Sequence, residues 1–251
     1  MSIPEAIILG IIQGITEWLP VSSSGHLALA SYLFGIEPVG ISLMLHLSSL
    51  FAVIIVLRKD ILGIAKAGIK SIGEPNPESK LLFYIITATI PIAIIGLLFK
   101  DNIEAAFNSI RLVGIFLIIT AIILWLTKYS KPNRDISLAG SIIIGLSQAL
   151  AILPGISRSG ATISAALCMG IDREKAARFS FLLFIPAIAG ATILEYRTFA
   201  EVDLIPGIVA ASVSFTLSLF VIRWLIGLVK KSRLHWFAPY CLVLGITAVL
   251  I

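Results

Sequence analysis

Residues Gln13–His26 read QGITEWLPVSSSGH, and much of this stretch returns 135 positions later. Displaced by 135 without gaps, Ile7, Ile8, Gly10 and Gln13 fall on Ile142, Ile143, Gly145 and Gln148. Ser22, Ser24 and Gly25 fall on Ser157, Ser159 and Gly160, and Ala30, Gly35 and Ile36 on Ala165, Gly170 and Ile171. These ten identities lie within thirty positions and include glycines and polar residues. Unrelated apolar helices would match mainly in Leu, Ile and Ala, so the chain contains an internal repeat. The copies differ where chemistry is expected: Glu17 faces Ile152, Ser23 faces Arg158 and His26 faces Ala161. Two matching scaffolds with complementary side chains point to one composite site at their junction.

Composition places that repeat in a membrane. The chain of 251 residues is 58% hydrophobic and 13% charged, with a mean hydropathy of +1.04. A soluble domain carries roughly twice that charged fraction, and the apolar runs reach the length of about 20 residues that crosses a bilayer as helix. This is an integral membrane protein without an appreciable soluble domain. Its net charge of +5 reflects topology and anionic lipid rather than nucleic acid. Cys168 and Cys241 lie in apolar stretches with no metal-ligand spacing and read as buried small hydrophobes. The first residues lack the charged start and cleavage site of a signal peptide, so residue 1 is expected to begin the mature chain.

Within each copy a polar knot interrupts two short apolar helices. Residues 3–19 and 25–35 flank Pro20 and Ser22–His26, and residues 137–153 and 159–170 flank Pro154–Gly155. No piece spans a membrane alone, so each pair is expected to be a re-entrant helix–loop–helix, about 3–35 and about 137–170. Such backbone is tolerated at depth only inside protein or beside a water-filled cavity. Spans are expected at about 41–57, 81–99 and 110–127, then at about 178–196, 205–222 and 236–251. Residues 61–72, with Lys66 and Lys70, read as interfacial. Pro91 and Pro186 are expected to kink their spans.

The expected fold is all-α and polytopic. It has two repeats, 1–134 and 135–251, joined in one membrane domain. Three spans separate the hairpins, and because three is odd the second hairpin enters from the opposite face. The halves are then inverted-topology repeats, a plan that places sites near the midplane at broken helices. Lys and Arg number 15 in residues 58–80, 128–135, 172–178 and 223–235, against 3 in 100–111 and 195–204. The first group is therefore expected in the cytoplasm and both termini outside.

Glu17, four residues after Gln13 on one helix face, is a carboxylate in a membrane-embedded segment, which is costly and usually functional. Ser22-Ser23-Ser24-Gly25 opens a helix after a proline, and hydroxyls with free N–H groups at a helix start make an anion cradle. Pro154-Gly155-Ile156-Ser157-Arg158-Ser159-Gly160-Ala161-Thr162 repeats the cradle and adds a guanidinium, the preferred bidentate partner of phosphate oxygens. Together these residues describe a buried phosphate site. His46, in an apolar span with no partner in the sequence, reads as a hydrogen-bonded core histidine, and His235 as a solvated one.

Gln13, Glu17 and Pro20-Val21-Ser22-Ser23-Ser24-Gly25-His26 resemble the first signature of the undecaprenyl-diphosphate phosphatase family, the bacitracin-resistance proteins. Residues Pro154–Thr162 resemble the second, PGxSRSxxT. Length, span count and motif separation agree as well, so the resemblance covers essentially the whole chain. It implies a multi-pass plasma-membrane hydrolase that removes the terminal phosphate of a polyprenyl diphosphate lipid. That reaction regenerates the carrier for cell-wall glycan synthesis and confers bacitracin resistance. It also implies a divalent cation, Mg or Ca, and a site open to the outer face. Carried over by position, Glu17 is the essential carboxylate, binding the metal or handling a proton. Gln13 stands beside it where many relatives have a second glutamate. Ser23 is the nucleophile candidate, and His26 its proton partner or a rival nucleophile. Arg158, with Ser157, Ser159 and Thr162, clamps the diphosphate beside Ser22 and Ser24. The expected partners are the lipid substrate and the bilayer, with a homodimer compatible and no nucleic acid. The alternative is a transporter or flippase of a phosphorylated lipid or small anion, because inverted repeats with broken helices also build transporters.

Overall fold

The structure, a computed structural model, describes residues 1–36, 38–70, 76–231 and 234–251. Among these residues it is all-helical apart from one isolated β-bridge, Arg134 with Ile171. Helix α1, Ile3–Thr16, starts at a capping box in which Ser2 and Glu5 satisfy each other's backbone N–H groups. After the break, α2, Ser23–Phe34, is capped by Ser22 and stopped by left-handed Gly35. Helices α3, Pro38–Val56, and α4, Arg58–Lys70, follow, with α4 bent by 76° from α3. Next come α5, Pro77–Leu98, the short α6, Lys100–Phe107, and α7, Ile110–Leu126. The second half contains α8, Leu138–Leu150, α9, Arg158–Cys168, α10, Arg173–Leu194, α11, Leu204–Lys230, and α12, Ala238–Leu250.

Both expected broken segments are present, as α1/α2 and α8/α9. Among the described residues α5, α7 with its following turn, α10 and α11 are long and apolar enough to cross a membrane, and the bent α3/α4 pair passes the same test when its two helices are taken together. The last expected span, 236–251, is a shorter apolar helix over Leu234–Leu250. α5 and α10 run on through Pro91 and Pro186. Of the segment expected at the interface, 61–70 lie on α4, where Lys59, Leu62 and Lys66 are exposed and Ile64 and Ala67 buried. Residues 71–72, the side chain of Lys70, and Arg233 lie outside the described residues.

The outer surface suits lipid. On α5, Phe83, Ile86, Ile90, Ile94 and Leu97 are all more than half exposed, at the three- and four-residue spacing of one helix face. The interior carries polar groups instead: Gln13, Ser49, Ser214 and Ser218 are fully buried. Without a hydrophobic drive between helices in lipid, close packing at small residues holds them together. That packing follows the repeat. An added Cβ at Gly10 on α1 would stand 2.5 Å from Ala210 O on α11, and one at Gly145 on α8 would stand 2.6 Å from Ala88 O on α5. Gly114 on α7 and Gly245 on α12 face each other, at 2.7 and 2.8 Å from each other's carbonyl oxygen by the same construction. Each half thus lends its broken helix to a span of the other half.

The ion pairs segregate by end. Asp60 and Glu174 hold Arg178 at 3.0 and 3.1 Å, Lys230 joins Glu174 at 2.8 Å, and Lys175 pairs with Asp135. A separate group pairs Lys100 with Glu195 at 2.7 Å and the Met1 amino group with Asp203 at 3.1 Å. Two expectations change. Cys241 is buried, but Cys168 is exposed, because the last turn of α9 leaves it at the protein surface. His235 is half-buried with its ring edge against Trp236.

Candidate active site

Two helix breaks, Glu17–Ser22 and Ala151–Ser157, meet inside the bundle. Each following helix is capped alike, Ser22 Oγ accepting from Gly25 N at 3.2 Å and Ser157 Oγ from Gly160 N at 3.0 Å. The breaks also touch reciprocally: a Cβ at Gly25 would lie 3.2 Å from Gly155 Cα, and one at Gly160 would lie 3.4 Å from Pro20 Cβ. Gly155, at φ +104°, has no room for a side chain, because its Cβ would stand 2.4 Å from Val113 O. Thr120 pins that loop, donating to Gly155 O at 2.8 Å and accepting from Ser157 N at 3.0 Å. The result is two helix starts side by side, each with first-turn N–H groups that have no partner within the helix.

Glu17 sits at the end of α1, buried, next to Trp18, which packs edge-on against Phe181 and Phe184. Its Oε2 accepts from Ser23 Oγ at 2.5 Å and from Gln13 Nε2 at 3.1 Å, and lies 3.2 Å from His46 Nε2. Its Oε1 accepts from Arg158 at 2.6 Å. Arg158 also donates to Ser180 O at 3.2 Å, and its guanidinium lies 4.2 Å from the centre of the Phe184 ring. Thr162 reaches Arg158 O at 2.7 Å and Ser180 Oγ at 2.6 Å, and so braces the start of α9. Ser159 donates to Leu19 O at 3.1 Å and lies 3.3 Å from Ser157 Oγ. Ser22 and Ser24 hydroxyls are 3.1 Å apart.

The structure therefore gathers Gln13, Glu17, Ser23 and Arg158 into one contact network, with Ser22, Ser24 and Ser157 lining the same cavity as Glu17, Ser23 and Arg158. Ser159 and Thr162 brace the two breaks rather than face that cavity. Ser23 and His26 are not brought together as a hydrogen-bonded pair. The Ser23 hydroxyl donates to Glu17 instead, while the His26 ring lies against Ser22 O at 2.7 Å and Tyr240 OH at 2.6 Å. One turn into α2, the ring is carried away from the side on which Ser23 meets Glu17.

The residue underread in the sequence is His46. It is hydrogen-bonded as expected, with Nδ1 donating to Ser42 O at 2.7 Å, but its other nitrogen faces Glu17. Both ring nitrogens thus point at acceptors, the arrangement of an imidazole that donates twice. An ionisable side chain in an apolar span is by default a site residue, and that was the available signal. Ser180 and Phe184 left none, since nothing local links them to Arg158.

The network forms one end of a cavity of about 360 Å³. Ile92, Leu97, Ile103, Phe107, Ala187 and Leu194 supply apolar wall, and Lys100 and Glu195 also line it. Among the described residues there is no cluster of three or more His, Cys, Asp and Glu groups suited to a metal ion. Oxygen groups of the kind a hard cation takes belong to the network: the Glu17 carboxylate, the Ser23 hydroxyl, and Gln13, whose Nε2 donates to Glu17 and whose buried Oε1 has no hydrogen-bond partner.

Fold and site together define a polytopic helical membrane protein with a polar centre where its two helix breaks meet. The sequence pattern of the bacitracin resistance protein BacA family matches residues 6–247, and the chain belongs to that family. It is 41% identical over 256 residues to an undecaprenyl-diphosphatase of Korarchaeum cryptofilum, covering 98% of each chain. It is 41% identical over 263 residues to one from Bacteroides fragilis, covering 98% of this chain and 97% of that one. It is 42% identical over 256 residues to one from Carboxydothermus hydrogenoformans, covering 97% and 95%.

Proposed function

We propose that this membrane protein is a hydrolase that converts undecaprenyl diphosphate to the monophosphate and inorganic phosphate, recycling the lipid carrier of cell-wall glycan synthesis. The carrying observation is the 2.5 Å contact of Ser23 Oγ with Glu17, whose other oxygen meets Arg158 from the opposite repeat. Phosphoryl transfer needs mainly positioning and charge neutralisation, and this site supplies both. Arg158 and the first-turn N–H groups of α2 and α9 hold the diphosphate oxygens. Ser23 Oγ attacks the terminal phosphorus and its proton passes to Glu17. The bond from that phosphorus to the bridging oxygen breaks, and the lipid monophosphate leaves. Water then attacks the phosphoserine phosphorus, the Ser23 Oγ–P bond breaks, Glu17 returns its proton to Ser23 Oγ, and inorganic phosphate leaves carrying the oxygen and protons of the water. His46 holds the Glu17 carboxylate in place throughout.

The residues that would hold a divalent cation are Glu17 and Gln13, and Gln13 Oε1 is free to accept it. A cation bound there neutralises diphosphate charge. The apolar wall of the cavity suits the first isoprene units of the tail. Lys100 and Glu195, which also line the cavity, fall in the segments poor in Lys and Arg, which supports a site opening to the outer face. The contact of the Met1 amino group with Asp203 supports an N-terminus on that same side. The reciprocal packing of Gly10 with Ala210 and Gly145 with Ala88 supports inverted repeats over 1–134 and 135–251. Nothing in the site favours a transporter, which has no use for a serine hydroxyl aimed at a carboxylate.

The test is phosphate release from a long-chain polyprenyl diphosphate by protein purified in mild detergent with magnesium. Steady release that collapses in Glu17→Gln and Arg158→Ala supports a composite site. No release from folded wild type across a range of divalent ions overturns the proposal.

A further inference from the structure

The hydrolase reading leaves His26 facing away from Ser23, and the contacts of its ring suggest another task. Among the described residues Ser22 is the one non-glycine residue at positive φ, at +67°, a conformation that persists only when its surroundings hold it. Its hydroxyl caps Gly25 N, and its carbonyl accepts from His26 N at 3.2 Å. The same carbonyl lies 2.7 Å from His26 Nδ1. A peptide carbonyl only accepts, so Nδ1 carries the proton and Nε2 of the neutral ring is left with a lone pair. Tyr240 OH, on α12, stands 2.6 Å from that lone pair and donates to it. The two rings are nearly parallel, 7° apart, with their centres 5.6 Å apart, so they meet edge to edge at that hydrogen bond. The hydrogen bond at one ring nitrogen selects the tautomer at the other. With the tautomer set by Ser22 O, a tyrosine 214 residues away in sequence holds the opposite edge of the ring that clamps the strained turn, and the next residue along that turn is Ser23.

We infer that Tyr240 is a positioning residue for the hydrolysis, acting through His26 on the Ser22 turn that presents Ser23 to Glu17. The inference rests on the hydrolase reading for its kinetic consequence but not for its geometry. Tyr240→Phe keeps the aromatic ring and removes only the donor. It is expected to lower kcat roughly tenfold, as lost orienting partners do, with KM within twofold of wild type. In a His26→Ala background the same substitution is expected to add nothing, because the ring through which it acts is gone. Nitrogen-15 spectra of the imidazole, with the His26 signals assigned by their loss in His26→Ala, are expected to show Nδ1 protonated and the Nε2 signal displaced in Tyr240→Phe.

A kcat within twofold of wild type in Tyr240→Phe overturns the inference, as does an additive loss in the double variant. A His26 ring protonated at Nε2, or a Nε2 signal unmoved by Tyr240→Phe, overturns it without reference to activity. A wild type that releases no phosphate instead sinks the hydrolase reading, and the nitrogen spectra then still decide whether Tyr240 sets the ring.

Discussion

Arg158 donates to Glu17 at 2.6 Å across 141 positions of chain, joining the break of the second repeat to the break of the first. Neither group is at ease alone in a membrane interior. The pair exists because the two broken helices start side by side, each copy contributing the charge that the other lacks.

Removing one partner leaves the other charge uncompensated, at a cost of about 3–5 kcal/mol for a buried pair. Arg158→Ala is therefore expected to lower the unfolding temperature and to reduce phosphate release on the order of 100-fold or more. In Glu17→Gln/Arg158→Ala together, the stability loss is expected to be smaller than the sum of the singles. Calorimetry in detergent beside the phosphate assay measures both.

Ser23→Ala is expected to be the most severe loss at the site, because the hydroxyl that attacks is gone. His26→Ala is expected to retain measurable turnover, since its ring supports the turn without touching Ser23. Equal background rates in the two variants would count against Ser23 as sole nucleophile.

His46→Ala is expected to slow turnover by roughly 10- to 100-fold, as when the partner that orients a reacting carboxylate is lost. His46→Gln, which keeps one donor toward Glu17, is expected to recover most of it. Turnover assays of both variants at saturating magnesium decide the matter.

Chelation is expected to abolish activity and magnesium or calcium to restore it. Gln13→Glu adds a second carboxylate oxygen donor beside Glu17, and is expected to lower the half-saturating cation concentration roughly tenfold, since ligand charge tunes such sites. A cation requirement unchanged by Gln13→Glu and Gln13→Ala alike would place the ion elsewhere.

Gly245→Ala puts a methyl 2.8 Å from Gly114 O and is expected to destabilise the α7/α12 contact by about 1–3 kcal/mol. Gly63 on α4 has nothing within 4 Å of its would-be Cβ, so Gly63→Ala is expected to stabilise by about 0.4–1 kcal/mol. Opposite signs in the two unfolding midpoints test whether the helix crossing is held by its glycines.

Much of this was legible in one dimension. The repeat, the two helix breaks and the expectation that Glu17 and Arg158 serve one composite site followed from the displaced identities and the three positions at which the copies differ, but their direct pairing did not. The near-vacancy of one face in Lys and Arg likewise anticipated the separation of the Lys100–Glu195 pair from the cluster around Arg178. His46 was not legible as a member of the site, because its own span offers it only serines, Ser42, Ser48 and Ser49, and Glu17 lies 29 positions upstream. Ser180, Phe184 and Tyr240 were equally silent, since each meets its partner on another helix.

Hydropathy and repeat determined the membrane class and the two helix breaks, because helix length and polarity in lipid are local properties of the chain. They also placed Glu17 and Arg158 at those breaks. Tertiary structure alone decided that Ser23 turns to Glu17 rather than to His26, that His46 meets Glu17 and that Tyr240 meets His26. Those choices depend on how helices cross. In lipid, crossing is set by close packing at residues such as Gly114 and Gly245 and by interhelical hydrogen bonds, which no spacing along a single helix records.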